Sequence, residues 1–277
     1  MSFNLFESAK KNVLVVAHRG ACGGNIPCNT LASYGIAVKQ GADMIEVDVE
    51  MSADGKLFVF HPGMEPWHLF HRDRISRMSS ADIAQLRYVN TDCVKTQFGI
   101  NTFDEILDAF KNKCYINVDK FWGHPKEIAA AIRRHNMEDQ ILVKSSLSDR
   151  VLSVLEEVAP DIPFMAIVRN NHDAHESLMK RSIHYIGAEV LFESETAEVA
   201  SPTFVERMHR DGKLVWANSI IYDYREQLAA GHSDDTALTE SEEIGWGWLA
   251  DRGYDFIQTD WPLMLINYLK SANKYYR

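Results

Sequence analysis

Nine short apolar runs, rich in β-branched and aromatic residues, recur along this chain, and helix-period segments lie between most of them. The runs are 13–18, 43–49, 57–61, 114–119, 141–145, 163–168, 185–191, 213–218 and 255–259. The helix-period segments are 29–40, 102–111, 124–136, 148–157, 171–182, 201–211, 240–252 and 262–270. Such alternation predicts a parallel sheet with crossover helices. One pair of runs leaves no room for a helix. Between 43–49 and 57–61 there is only a short turn containing Asp54-Gly55, which predicts a hairpin. With that arm set aside, eight parallel strands remain, the number of a TIM-type (β/α)8 barrel, and 277 residues suit that fold. An open doubly wound sheet is the competing architecture, but the Gly-x-Gly-x-x-Gly turn of its dinucleotide-binding version is missing. The expectation is an α/β chain forming one barrel domain over 1–277. Residues 62–101, with Pro62, Gly63 and Pro66 and a basic stretch at 71–77, read as an insertion or lid over the C-terminal face. A second irregular stretch is expected at 219–239.

In a barrel of this kind the reactive groups sit at the C-terminal ends of strands. The second run, Met44-Ile45-Glu46-Val47-Asp48-Val49, carries two carboxylates two residues apart. In a strand they face one way, with Cα atoms roughly 6.6 Å apart. Two acids on one face of an apolar run need a positive partner, and a hard divalent cation is the simplest one. The other strand ends supply His18 and Arg19, Asp119 and Lys120, Lys144, Arg169, Trp216 and Asn218, and Asp260, while the hairpin returns His61 toward the acids. Glu46, Asp48 and Asp119 make an all-oxygen set that suits Mg²⁺ or Ca²⁺ better than zinc. His18 and His61 on either side of the ion could pass protons, and Arg19 could clamp an anion as a planar fork. Together these groups suit in-line displacement at phosphorus. Asp260, in Thr259-Asp260-Trp261-Pro262, reads as the N-cap of the last helix. His68, His71, His172, His175 and His232 read as loop or surface groups.

The formal net charge of −10 argues against a nucleic-acid partner or a stable membrane association. The four cysteines, Cys22, Cys28, Cys93 and Cys114, form no Cys-x-x-Cys motif, and Cys114 reads as a buried structural thiol. The N-terminal residues lack a signal-peptide pattern, and no apolar run is long enough to span a bilayer, so a cytoplasmic location is expected.

Seven runs resemble the glycerophosphodiester phosphodiesterases, within the wider group of phosphatidylinositol-phospholipase-C-like barrels. They are Ala17-His-Arg-Gly20, Pro27-Cys-Asn-Thr-Leu31, Gly41-Ala-Asp-Met-Ile-Glu-Val-Asp-Val49, Asp54-Gly-Lys-Leu-Phe-Val-Phe-His61, Asn101-Thr-Phe-Asp-Glu-Ile-Leu107, Asn117-Val-Asp-Lys120 and Asp255-Phe-Ile-Gln-Thr-Asp-Trp-Pro262. The resemblance implies a barrel phosphodiesterase that cleaves glycerophosphodiesters to an alcohol and glycerol 3-phosphate with a divalent ion. It implies His18 and His61 as the acid/base pair, Arg19 as a phosphate ligand, and Glu46 and Asp48 as metal ligands. Asp119 is expected to complete the metal set, with Lys120, Lys144 and Trp216 at the substrate. Three departures stand out: Cys28 replaces the family's Glu in Pro-Glu-Asn-Thr, Pro62 replaces the Asp after the second His, and Asn117-Val-Asp119-Lys120 replaces a Glu-x-Lys motif. Two alternatives remain open: a lyase-type phospholipase that releases a cyclic phosphate, and a non-catalytic barrel that binds a phosphoester. The partner expected in each case is a small phosphodiester.

Overall fold

The computed structural model describes residues 3–275. Its strands are β1 (Leu14–Ala17), β2 (Met44–Met51), β3 (Leu57–Val59), β4 (Tyr115–Asp119), β5 (Ile141–Ser145), β6 (Phe164–Arg169), β7 (Tyr185–Leu191), β8 (Leu214–Asn218) and β9 (Phe256–Thr259). All but β3 are parallel, and they close into an eight-stranded barrel because β1 pairs with both β2 and β9. As the Asp54-Gly55 turn implies, β3 runs antiparallel on the far end of β2, with Val49 opposite Val59 and Met51 opposite Leu57.

Strand alternation sorts the side chains into two shells. Outward residues such as Val15, Ile45, Val47, Ile116, Val118 and Val143 pack against the surrounding helices in the main core. Inward residues Leu14, Val16, Met44, Tyr115, Leu142, Met165, Trp216 and Phe256 fill the N-terminal part of the barrel lumen. One step further along the strands the inward positions turn polar: Glu46 and Asp48 on β2, Asn117 and Asp119 on β4, Lys144 on β5, Glu189 on β7 and Asn218 on β8. The fold therefore seals one end of the lumen with apolar side chains and collects charge at the other. At Gly187 a Cβ would stand 2.0 Å from the Leu214 carbonyl oxygen, so the close approach of β7 to β8 requires glycine there.

Helices fill the crossovers, among them Leu31–Gln40 and Phe103–Phe110, each opened by a threonine capping box (Thr30 with Ser33, Thr102 with Glu105). Three regions differ from the periodic reading. In 171–182 only His175–Leu178 is α-helical, because His172 and His175 turn inward to share the Tyr185 hydroxyl at 2.8 and 3.0 Å. The 240–252 segment contains a π-helical stretch, Glu243–Gly247, where Gly245 lies against Ala237. The 219–239 stretch ends in a helix, Asp234–Thr239. Residues 62–101 contain short helical pieces, Glu65–His68, Ile75–Arg77 and Ser80–Ile83, and a small apolar core of their own around Phe58, Phe60, Leu69, Ile75, Ile83 and Tyr88. Among the described residues no helix is long and apolar enough to cross a membrane.

Candidate functional site

The mouth of the barrel gathers Glu46, Asp48 and Asp119 so that one carboxylate oxygen from each lies within 4.8 Å of the others. The register explains this: Asp48 stands opposite Asp119 across the β2–β4 ladder, and Glu46 opposite Asn117. Burial, and then the charge of Asp48, push the Glu46 carboxyl up to about 7. Asp48 is fully buried, and its Oδ1 accepts no hydrogen bond among the described residues. Its Oδ2 is held by the Asn29 side-chain amide at 2.9 Å and lies 3.0 Å from Arg19 Nε. A buried oxygen with no donor, a neighbouring acid pushed toward neutrality and an all-carboxylate donor set fit a hard divalent cation.

Backbone conformation aims the cations at these acids. β1 ends at Ala17, and Arg19 adopts a left-handed conformation (φ 55°) that brings its N–H to Glu46 Oε2 at 3.0 Å. The next residue, Gly20, also has positive φ, and a Cβ there would meet Ser33 at 2.7 Å, so this tight turn admits only glycine. β4 ends at Asp119, and Lys120 is again left-handed (φ 60°). Plain strand alternation would send Lys120 outward. The left-handed step instead swings its Nζ to 2.6 Å from Asp119 and 3.9 Å from Asp48. Non-glycine residues rarely adopt this conformation, and strain of this kind gathers at functional sites. Burial disfavours charge on Arg19 and on Lys120, but the adjacent carboxylates outweigh it and raise both pKa values.

The two histidines are held differently. His18 Nδ1 lies 2.8 Å from Asp260 Oδ1, a contact between residues 242 apart in sequence. Burial opposes a proton on His18, but Asp260 and Glu46 outweigh it and raise the pKa. Asp260 is therefore not the helix cap that the sequence suggests: Trp261 occupies that position, and Asp260 turns back to His18. A buried carboxylate anchors the arrangement. Asp234 accepts from the Ser219 and Thr259 hydroxyls, the Trp246 indole and the Asp260 amide. His61 follows the hairpin, placed beside Asp48 by the Phe60 amide on the Asp48 carbonyl at 3.0 Å. Its buried Nδ1 has no hydrogen-bond partner among the described residues, and burial lowers its pKa.

Across the mouth, Lys144 is buried and lies 2.9 Å from Glu189 Oε2. Glu189 Oε1 accepts from Asn218, whose own oxygen accepts from the Trp216 indole. Trp216 is fully buried, stacked on Phe256, with the Lys144 ammonium 4.0 Å above its ring. The expectation that Trp216 touches substrate is corrected: Lys144 covers it, and it forms the floor beneath. The open space, about 90 Å³, is bounded by His18, Arg19, Glu46, Asp119, Lys120, Trp122, Lys144, Glu189 and Tyr222. A larger cavity of about 440 Å³ at the opposite end, near Phe6, Val13 and Leu214, contains none of the three clustered acids, so size does not mark the site.

Arg169 pairs with Glu193 and Glu226 at the surface. His172, His175 and His232 are buried rather than superficial. His232 stacks on Trp248 and contacts Glu195, a partner 37 residues away that periodicity cannot reveal. Asn29, Tyr34 and Glu189 are site-shaping residues absent from the sequence-based set. The Tyr34 hydroxyl donates to Asn29 Oδ1 at 2.7 Å, orienting the amide that holds Asp48. The signal for Asn29 lies in Pro27-Cys28-Asn29-Thr30, directly after the Cys28 departure.

A family model described as the glycerophosphoryl diester phosphodiesterase family matches residues 18–262. The chain is 27% identical over 176 residues to a glycerophosphodiester phosphodiesterase of Bacillus subtilis, an alignment that takes in 56% of this chain and 59% of the relative. It is 39% identical over 74 residues to a probable glycerophosphodiester phosphodiesterase 1 of Mycobacterium tuberculosis, 27% of each chain. The match thus spans about three-fifths of the Bacillus relative's length. Among solved structures, a glycerophosphoryl diester phosphodiesterase from Parabacteroides distasonis superposes with a TM-score of 0.80 at 19% identity, covering 97% of this chain and 92% of that one. An Oleispira antarctica phosphodiesterase, solved with its product sn-glycerol-3-phosphate, gives 0.69 at 20% identity, covering 94% and 97%. At these identities the structural likeness establishes the barrel. The family model takes in both histidines, all three acids and the closing Thr259-Asp260-Trp261-Pro262, and on that match the chain belongs to the glycerophosphoryl diester phosphodiesterase family.

Proposed function

We propose that this chain hydrolyses glycerophosphodiesters to an alcohol and glycerol 3-phosphate, using a divalent cation and the His18/His61 pair. The observation that carries this reading is the gathering of Glu46, Asp48 and Asp119 beside two histidines of opposite electrostatic setting. The relatives' names support the reaction class, and the product held by the Oleispira antarctica enzyme supports glycerol 3-phosphate as the monoester released.

A divalent ion, Mg²⁺ or Ca²⁺, held by Glu46, Asp48 and Asp119 would polarise a non-bridging phosphoryl oxygen and offset the negative charge that grows there. The remaining steps belong to side chains. Arg19 keeps Nε on Asp48, leaving its two terminal nitrogens to grip the phosphoryl oxygens as a fork. Lys120 stands beside the same anion, and Lys144, on its Trp216 floor, forms the far wall. His61, neutral because of its burial, takes a proton from the attacking water. His18, its charged form supported by Asp260 at Nδ1, gives the Nε2 proton to the departing alkoxide. We read residues 62–101 as a cover over this mouth within a single barrel unit.

The test is turnover of glycerophosphocholine by purified protein with Mg²⁺ or Ca²⁺, followed by phosphorus NMR. Glycerol 3-phosphate is expected, with the signal suppressed by EDTA. A cyclic phosphate as the final product would favour the lyase alternative. Metal-loaded protein no faster than His18→Ala over a panel of phosphodiesters overturns the enzymatic reading.

A further inference from the structure

We propose that Cys22 and Cys28 are a reversible dithiol–disulfide pair at the rim of the barrel mouth, oxidised by hydroperoxides. The two residues lie on the segment joining β1 to the helix Leu31–Gln40. A tight turn folds this segment back on itself: Gly23 and Ile26 exchange backbone hydrogen bonds at 3.0 and 2.9 Å, with Gly24 left-handed at φ 57°. Lower in the same loop, the Asn29 amide donates to the Arg19 carbonyl at 2.9 Å. Cys22 and Cys28 lie between these two cross-links and line one cavity.

The pair is asymmetric in the way exchange chemistry requires. Cys22 is exposed, and Cys28 is only partly so. The neighbouring Cys28 thiol outweighs burial and lowers the Cys22 thiol to about 7, while the Cys22 thiol and burial push Cys28 up. Near neutral pH Cys22 is thus substantially thiolate, with its resolving thiol on the same cavity. The thiolate attacks the terminal oxygen of a hydroperoxide, forming a sulfenic acid and releasing the alcohol, or water when the oxidant is hydrogen peroxide. The Cys28 sulfur then attacks the sulfenyl sulfur, the S–S bond forms, and the hydroxyl leaves as water with the Cys28 proton. Two thiols lose two electrons, and the peroxide is reduced.

The bond has a route to the candidate site. Cys28 precedes Asn29, whose side chain holds Asp48 and whose amide holds the Arg19 carbonyl. Drawing the Cys28 sulfur into a bond with Cys22 strains that connection, so the oxidised form turns over more slowly. Cys93 lines the same cavity of about 320 Å³ as Cys22 and Cys28, which makes it the internal control.

The experiment treats the full chain with stoichiometric hydrogen peroxide, traps free thiols and maps peptides by mass. The expected product is a Cys22–Cys28 disulfide, reversed by dithiothreitol, formed equally in Cys93→Ser and lost in Cys22→Ser and Cys28→Ser. Free thiols at both positions, a sulfinic acid at Cys22, or a bond from either residue to Cys93 overturns the proposal. The second arm rests on the phosphodiesterase reading: the disulfide form is expected to turn over several-fold more slowly, with Cys22→Ser insensitive to peroxide. Unchanged turnover in fully bonded protein removes the regulatory half. Absence of turnover in the reduced protein counts against the phosphodiesterase reading alone, because the mass arm does not depend on activity.

Discussion

Two charged groups share the C-terminal part of the barrel lumen and are built on different terms. On the β5–β7–β8 side, Asn218 links the Trp216 indole to Glu189, and Glu189 Oε2, which accepts no hydrogen bond, lies 2.9 Å from the Lys144 ammonium, so one carboxylate faces one cation. On the β1–β2–β4 side, three carboxylates converge, one of their buried oxygens accepts no hydrogen bond, and one carboxyl is driven toward neutrality. A buried group whose charges are paired one to one makes a wall, because a further ion would unbalance it. A group with more acids than cations makes a site: Arg19 and Lys120 answer part of its charge, and a further cation can answer the rest. The two sides differ in how far their charges are already answered.

The sharpest way to test this contrast is through the histidines that flank only the open side. His18→Ala and His61→Ala are each expected to lower turnover by about 10²- to 10⁴-fold, the range for a lost general acid or base. Denaturation midpoints should move far less than the rates. Equal losses of rate and stability would place these residues with the wall.

The closed side should respond in the opposite sense. Lys144→Met leaves Glu189 buried without its cation and is expected to destabilise the fold by about 3–5 kcal/mol in urea denaturation. The double change Lys144→Met with Glu189→Gln should recover most of that loss. If the single variant is as stable as the parent, the pair is not a structural unit.

Asn29→Ala removes the amide on Asp48 while sparing all three acids. A 10- to 100-fold weaker affinity for Ca²⁺ by calorimetry is expected, the usual range for a lost partner of a metal ligand. Unchanged affinity would mean that Asp48 orients itself.

The smallest effect is a pH slope. Glu46 titrates near 7 in the fold against an ordinary 4.5, so between those values the folded state holds the extra proton. Its contribution to stability is present below about 4.5 and is lost as pH rises toward 7. Metal-free protein should show this decline in denaturation midpoints. Glu46→Gln should flatten it, and a saturating divalent cation should offset it at the upper end. A midpoint that rises with pH in the parent but not in Glu46→Gln would reverse the assignment.

Much of this arrangement is legible in the sequence. Val47 and Val49 outward with Glu46 and Asp48 inward follow from the two-residue repeat, and the hairpin from Asp54-Gly55, because both are local rules of backbone geometry. Lys120 shows where locality fails. Its orientation reverses on a single left-handed φ that no side-chain pattern announces. Asp260 shows another limit: a good cap by its neighbours, it is claimed by a histidine at the other end of the chain.

By itself, the sequence determined the alternation of elements, the eight-strand count with its added hairpin, and the face on which the acids lie. Those properties depend on periodicity, which each segment carries internally. Tertiary structure decided which charges are answered. It paired Lys144 with Glu189, covered Trp216, turned Asp260 to His18, and left an Asp48 oxygen without a donor. Pairing of this kind depends on barrel closure, which brings residues from opposite ends of the chain to within about 3 Å, the ordinary hydrogen-bond distance.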